Sequence, residues 1–155
     1  MKTSISSVLI TFALVCFGLF PRAQAVVPPP PGGYPNFTTA EGEDALFSLT
    51  TGSGNTAVGW FSLNSVSTGS NNTAVGAGAL TANTADNNTA TGTAALWLNT
   101  TGENNTATGT AALEFNDTGS HNNAFGAFAL FNNLNGNGNH AFGNNHADGN
   151  SGSSL

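Results

Sequence analysis

The sequence predicts an all-β protein: a parallel β-solenoid of seven coils, each about 17 residues long, after a signal peptide and a proline-rich linker. Three observations carry that prediction. Glycines recur at Gly42, Gly59, Gly76, Gly92, Gly109, Gly126 and Gly143, in steps of 17, 17, 16, 17, 17 and 17 residues. A fixed period of this kind marks a repeat architecture. Leu46, Leu63, Leu80, Leu96, Leu113 and Leu130 keep the same phase. Stacked coils would bury them as one apolar column, which no coil could bury alone. Finally, no segment carries a helical stripe of useful length, and a glycine interrupts every coil.

Residues 1–25 read as a secretory signal peptide. Met1-Lys2 gives a positive start, Val8 to Leu19 an apolar run, and Ala23-Gln24-Ala25 a small-x-small cleavage site, with cleavage expected after Ala25. The run is short for a membrane span, so no span is expected in the mature chain. Cys16, the single cysteine, falls in this segment, which leaves no thiol chemistry to the mature chain. Lys2 and Arg22, the two basic residues, leave with it, while all eight acidic residues stay. A mature net charge of −8, without any lysine or arginine, argues against nucleic acid and anionic lipid as partners. Residues 26–37 form a Pro/Gly-rich linker, in which Pro28-Pro29-Pro30-Pro31 favours an extended, donor-free backbone.

The repeat domain covers 38–149. Each coil opens with a segment such as Asn72-Thr73-Ala74-Val75-Gly76, where Thr73 and Val75 share one face and Asn72 and Ala74 the other. A second short segment ends in Ala-Leu, and a polar loop such as Thr100-Thr101-Gly102-Glu103-Asn104 follows. Two strands and two turns per coil are expected, giving a body roughly 30 Å long at about 4.8 Å per coil. Asn55, Asn72, Asn88, Asn105, Asn122 and Asn139 would stack into an amide ladder. Ala57, Ala74, Ala90, Ala107, Ala124 and Ala141 would form a small-residue column. The single 16-residue step is placed between Leu80 and Thr84. The first and last copies are atypical, as capping coils are. Residues 150–155 are expected to be a disordered tail.

Asn71-Asn72-Thr73-Ala74-Val75-Gly76 resembles the Asn-Ser-Val-Ala-Ile-Gly core of the head repeats of YadA-like trimeric autotransporter adhesins. The likeness spans about residues 38–146. It implies a left-handed β-roll whose copies pack side by side as a trimer. Two departures stand against it: the coil is longer than the family's usual 14 residues, and no heptad stalk or membrane-anchor strands are visible. The resemblance therefore implies a head-like module, and it transfers no individual binding residue.

Candidate sites are few. His121, His140 and His146, with Asp117 and Asp148 nearby, lack ligand spacing, so no metal is expected. No nucleophile elbow or recurring carboxylate pair is present, so no catalytic residue, cofactor or enzymatic activity is expected. Thr89-Ala90-Thr91 and Thr106-Ala107-Thr108 would form a water-ordering threonine ladder if their face is exposed, or core substitutions if it is buried. Trp60, Phe61, Trp97, Phe115, Phe128 and Phe131 would line a sugar-binding groove or, preferably, cover an apolar seam between chains. The expected protein is exported or cell-surface, structural or adhesive, and a homo-oligomer, with a matrix or glycan ligand possible. The alternative is a carbohydrate- or ice-binding module.

Overall fold

The computed structural model describes residues 35–145. Ala25, the signal peptide, the proline run, the 150–155 tail, and His146, Ala147 and Asp148 lie outside the described residues. After a short turn at Pro35–Phe37 come seven strands: β1 (Thr39–Glu41), β2 (Thr56–Val58), β3 (Thr73–Val75), β4 (Thr89–Thr91), β5 (Thr106–Thr108), β6 (Asn123–Phe125) and β7 (His140–Phe142). They form one parallel sheet in chain order. The register is that of the repeat: Ala57 pairs with Ala74, Ala74 with Ala90, Ala90 with Ala107 and Ala107 with Ala124. The described chain is thus an all-β parallel solenoid with the predicted coil length. Its winding begins slightly inside the predicted linker, where the Asn36 carbonyl already accepts a hydrogen bond from Gly54 N–H at 2.9 Å.

Alternation along each strand puts its central alanine inside and its flanking residues outside. Ala57, Ala74, Ala90, Ala107 and Ala124 are fully buried, facing Leu63, Leu80, Leu96, Leu113 and Leu130, which are equally buried. Small against large fills a narrow interior. The leucine column therefore stands where its phase predicts.

The Ala-Leu segment is not the second strand expected. Leu46, Leu63, Leu80, Leu96, Leu113 and Leu130 have φ between 49° and 54°, and the residues two before them, such as Phe61, Ala94 and Ala111, are left-handed too. Left-handed residues at alternate positions curl the chain instead of extending it. Each such residue costs about 1–2 kcal/mol. Burying a leucine contributes about 1.5–3 kcal/mol, so burial holds the strained backbone in place. The curled segment still bonds to the next coil: Leu96 N–H donates to the Ala112 carbonyl at 3.0 Å, and Leu98 N–H to Glu114 at 2.9 Å.

The glycine after each strand is fixed by space as well as by conformation. Gly109 has φ 137°, and a Cβ there would lie 2.4 Å from the Gly126 carbonyl oxygen. What it would meet is the backbone of the next coil, which has little freedom to give way.

Two columns of buried asparagines close the coil, one of them unforeseen. In the predicted column, the Oδ1 of one residue accepts the backbone N–H of the next, at 2.9 Å from Asn72 to Asn55 and from Asn105 to Asn88. Its Nδ2 crosses the coil to a loop carbonyl, as from Asn88 to Gly102 at 2.8 Å. The second column is Asn83, Asn99, Asn116 and Asn133, all fully buried. Here the amides bond directly to each other, at 2.7, 2.6 and 2.9 Å in turn. The columns are braced by bonds such as Asn88 Nδ2 to Asn83 Oδ1 at 3.1 Å. Among the described residues, no buried side-chain nitrogen or oxygen lacks a partner.

The short step in the period lies later than predicted. Asn83 still sits three residues after Leu80, as Asn99 does after Leu96. The missing residue falls between Thr84 and Asp86, where the Ala85 carbonyl accepts from Asn83 and Asn72 as the Gly102 carbonyl does from Asn99 and Asn88. A solvent-side loop absorbs the deletion without shifting either column.

Candidate binding surfaces

Among the described coils the interior is filled by the alanine, leucine and asparagine columns, so the outward faces are the candidate surfaces. The sheet face presents two outward columns. One is Thr39, Thr56, Thr73, Thr89, Thr106, Asn123 and His140; the other is Glu41, Val58, Val75, Thr91, Thr108, Phe125 and Phe142. Thr91 and Thr108 are exposed and Thr89 and Thr106 half-buried, so the paired threonines face outward and are not core substitutions. The apolar members are unusually open: Val58 and Phe125 are 37% exposed and Phe142 is 70% exposed. Phe125 and Phe142 stack nearly parallel, with centroids 5.1 Å apart. Glu41 is the one carboxylate on this face among the described strands.

The aromatic residues singled out in the sequence lie elsewhere, on the curled Ala-Leu flank. Trp60 and Phe61 touch at 4.5 Å at one end of it. Phe115, Phe128 and Phe131 cluster at the other, with Phe131 edge-on to Phe115 at 4.9 Å and to Phe128 at 5.5 Å. Trp97 lies between, across Gly78 of the preceding coil. Glu114 shares this flank, and partial burial raises its carboxyl above the usual value. The apolar surface is therefore split into two strips, where the sequence suggested one seam.

The histidines described are not brought together as ligands. His121 takes the exposed, left-handed corner position of Asn104, and His140 Nδ1 meets Asn123 Nδ2 at 3.0 Å on the sheet face. Among the described residues, no three His, Cys, Asp or Glu side chains converge as a metal group would require. No described helix is long and apolar enough to cross a membrane. At the N-terminal mouth of the winding, Thr38, Ala40, Leu46, Leu49 and their neighbours line an open cavity of about 200 Å³.

This geometry defines a class: a β-solenoid held by stacked identical positions, with two outward apolar strips on different sides. Compared with known protein families, curated proteins and solved structures, the chain matches none.

Proposed function

We propose that this is an exported, non-catalytic structural or adhesive protein that works as a side-by-side oligomer, three chains packing through their sheet faces. The observation that carries the reading is the in-register, nearly charge-free sheet face, whose apolar column stays open to solvent in the single chain. Val58 and Val75 on one side of Thr91 and Thr108, and Phe125 and Phe142 on the other, are apolar surface that association removes from water. The likeness of the repeat to YadA-like heads supports a trimer. Oligomerisation would align the loops of several rods and add weak contacts through effective concentration.

Light scattering on the mature chain tests this. A trimer is expected, and Val75→Lys is expected to dissociate it while the far-ultraviolet circular dichroism stays unchanged. A monomer at micromolar concentration would overturn the reading. One observation favours a second reading, ice binding: the threonine pairs of β4 and β5 lie outward on a regular lattice about 4.8 Å by 6.6 Å in spacing. The two readings compete for one face. A monomer that inhibits ice recrystallisation, and loses that effect in Thr91→Lys, would favour the second.

A further inference from the structure

We infer that the flank carrying Trp97, Glu114 and Phe131 is a binding site for a neutral, equatorially linked polysaccharide chain. The inference rests on the adhesive part of the proposed function but uses a different side of the rod. Trp97, Glu114 and Phe131 each follow a buried column leucine, so they share one outward phase on three successive coils. The backbone bonds fix that stacking. Ala82 N–H donates to the Trp97 carbonyl at 3.0 Å, Leu98 to Glu114 at 2.9 Å, and Phe115 to Phe131 at 3.1 Å. Two coils separate the aromatic residues, which places their Cα atoms about 10 Å apart. That is the advance of two pyranose rings along an extended chain.

The rings are held before any ligand arrives. Gly78 makes room for Trp97, since a Cβ there would come within 2.2 Å of the indole. Phe131 is wedged against Phe115 and Phe128. Rigid aromatic platforms lose little entropy when an apolar sugar face stacks on them. Glu114 lies between the platforms, where a carboxylate accepts hydrogen bonds from the hydroxyls at a ring edge. Partial burial raises its carboxyl above the usual value. The same column continues as Thr81 and Asn64, which are polar and uncharged. Residues 26–155 contain no lysine or arginine. An anionic polymer would thus meet only repulsion, whereas a neutral one meets stacking surfaces and acceptors.

Co-sedimentation of the mature protein with insoluble cellulose and chitin tests the inference, with alginate beads as the anionic probe. Retention on cellulose or chitin is expected. Trp97→Ala and Phe131→Ala should each weaken it about tenfold, the loss of one stacking platform. Glu103→Gln, in an exposed loop away from both surfaces, should leave it unchanged. No retention on either neutral polymer, preferential retention on alginate, or equal binding by parent, Trp97→Ala and Phe131→Ala would overturn it. Trp60→Phe guards against variants that fail to fold, because it leaves Trp97 as the sole tryptophan. Its emission should shift on titration with cello- or chito-hexaose, and an unmoved spectrum with both sugars would also overturn the site. Light scattering on the same samples reads the oligomer separately, so a lost sugar site and a lost trimer give different results.

Discussion

One interior position is filled in two ways along the rod. Three residues after the column leucine, the first two coils place Leu49 and Val66, and the next four place Asn83, Asn99, Asn116 and Asn133. Val66 and the four asparagines are all fully buried. In the first region the position needs only volume. In the second, every amide is committed: Asn99 donates to Asn83 Oδ1 and the Gly102 carbonyl and accepts from Asn116 and Asn105. Beside Val66 there is no amide to receive Asn72 Nδ2, which bonds along its own column to Asn55 Oδ1 at 3.1 Å; Asn122 makes the same bond to Asn105 Oδ1 at 3.1 Å although Asn116 stands beside it. Apolar filling is thus indifferent to its neighbours, whereas amide filling ties each coil to the coils before and after it. A net hydrogen bond contributes only about 1 kcal/mol, but an amide left without partners costs more than that. The amide region should therefore be the more rigid in register and the less tolerant of change.

The largest expected effect tests the part that both regions share. Leu96→Asp puts a carboxylate into the leucine column, where no cation is available, and should cost at least about 4 kcal/mol. Loss of the cooperative thermal transition in circular dichroism is the expected result. Glu103→Gln, in the exposed loop of the same coil, should move stability by no more than about 0.5 kcal/mol. Equal melting of the two variants would break the stacked-column account altogether.

The next pair addresses the difference itself. Asn99→Val keeps the volume but removes four hydrogen bonds, leaving each former partner with one fewer, and should cost about 2–3 kcal/mol. The reverse exchange, Val66→Asn, inserts an amide beside the Gly69 carbonyl, which stands where Gly102 stands relative to Asn99, and below Asn83. It should cost about 1 kcal/mol or less, because partners are present. Urea unfolding of both variants checks the asymmetry. Equal losses would mean that the position responds to size alone.

The periodic part of this architecture was legible because every copy repeats the letters. Gly109, Leu96 and Asn105 could be assigned to columns from phase alone, and the structure places them so. The second asparagine column was missed because it begins only at the third coil. Val66 hides the phase, although the three-residue offset from leucine was there to be read. The missing residue was placed before Thr84 because no fixed letter marked the loop until Asn83 was known to be one. The sheet face stayed ambiguous for a physical reason. Alanine points inward and valine outward, the reverse of what hydrophobicity suggests, because the interior is too narrow for more than a methyl opposite leucine. The left-handed leucines carry no sequence signature at all. Such backbone normally selects glycine or asparagine, and only the stacked fold makes leucine tolerable there.

The smallest expected effect falls on the flank, where apolar and polar demands meet at one carboxyl. Glu114 lies between Trp97 and Phe131, and desolvation raises its folded pKa above the value in the unfolded chain. The neutral acid is therefore the form that the folded state prefers. Its contribution to stability is fully present below the unfolded pKa and is lost as pH rises through the raised folded value. At neutral pH the ionised group is mildly unfavourable, so Glu114→Gln should melt slightly higher than the parent. On acidification the parent should gain on the variant until the two coincide. Melting curves taken from neutral to acidic pH read this crossing. A gap that widens in acid would mean that the ionised carboxylate is held by a favourable partner. That in turn would leave the oxygen less free to accept a sugar hydroxyl. The same titration that measures a small stability term therefore also tests whether this acceptor is available for binding.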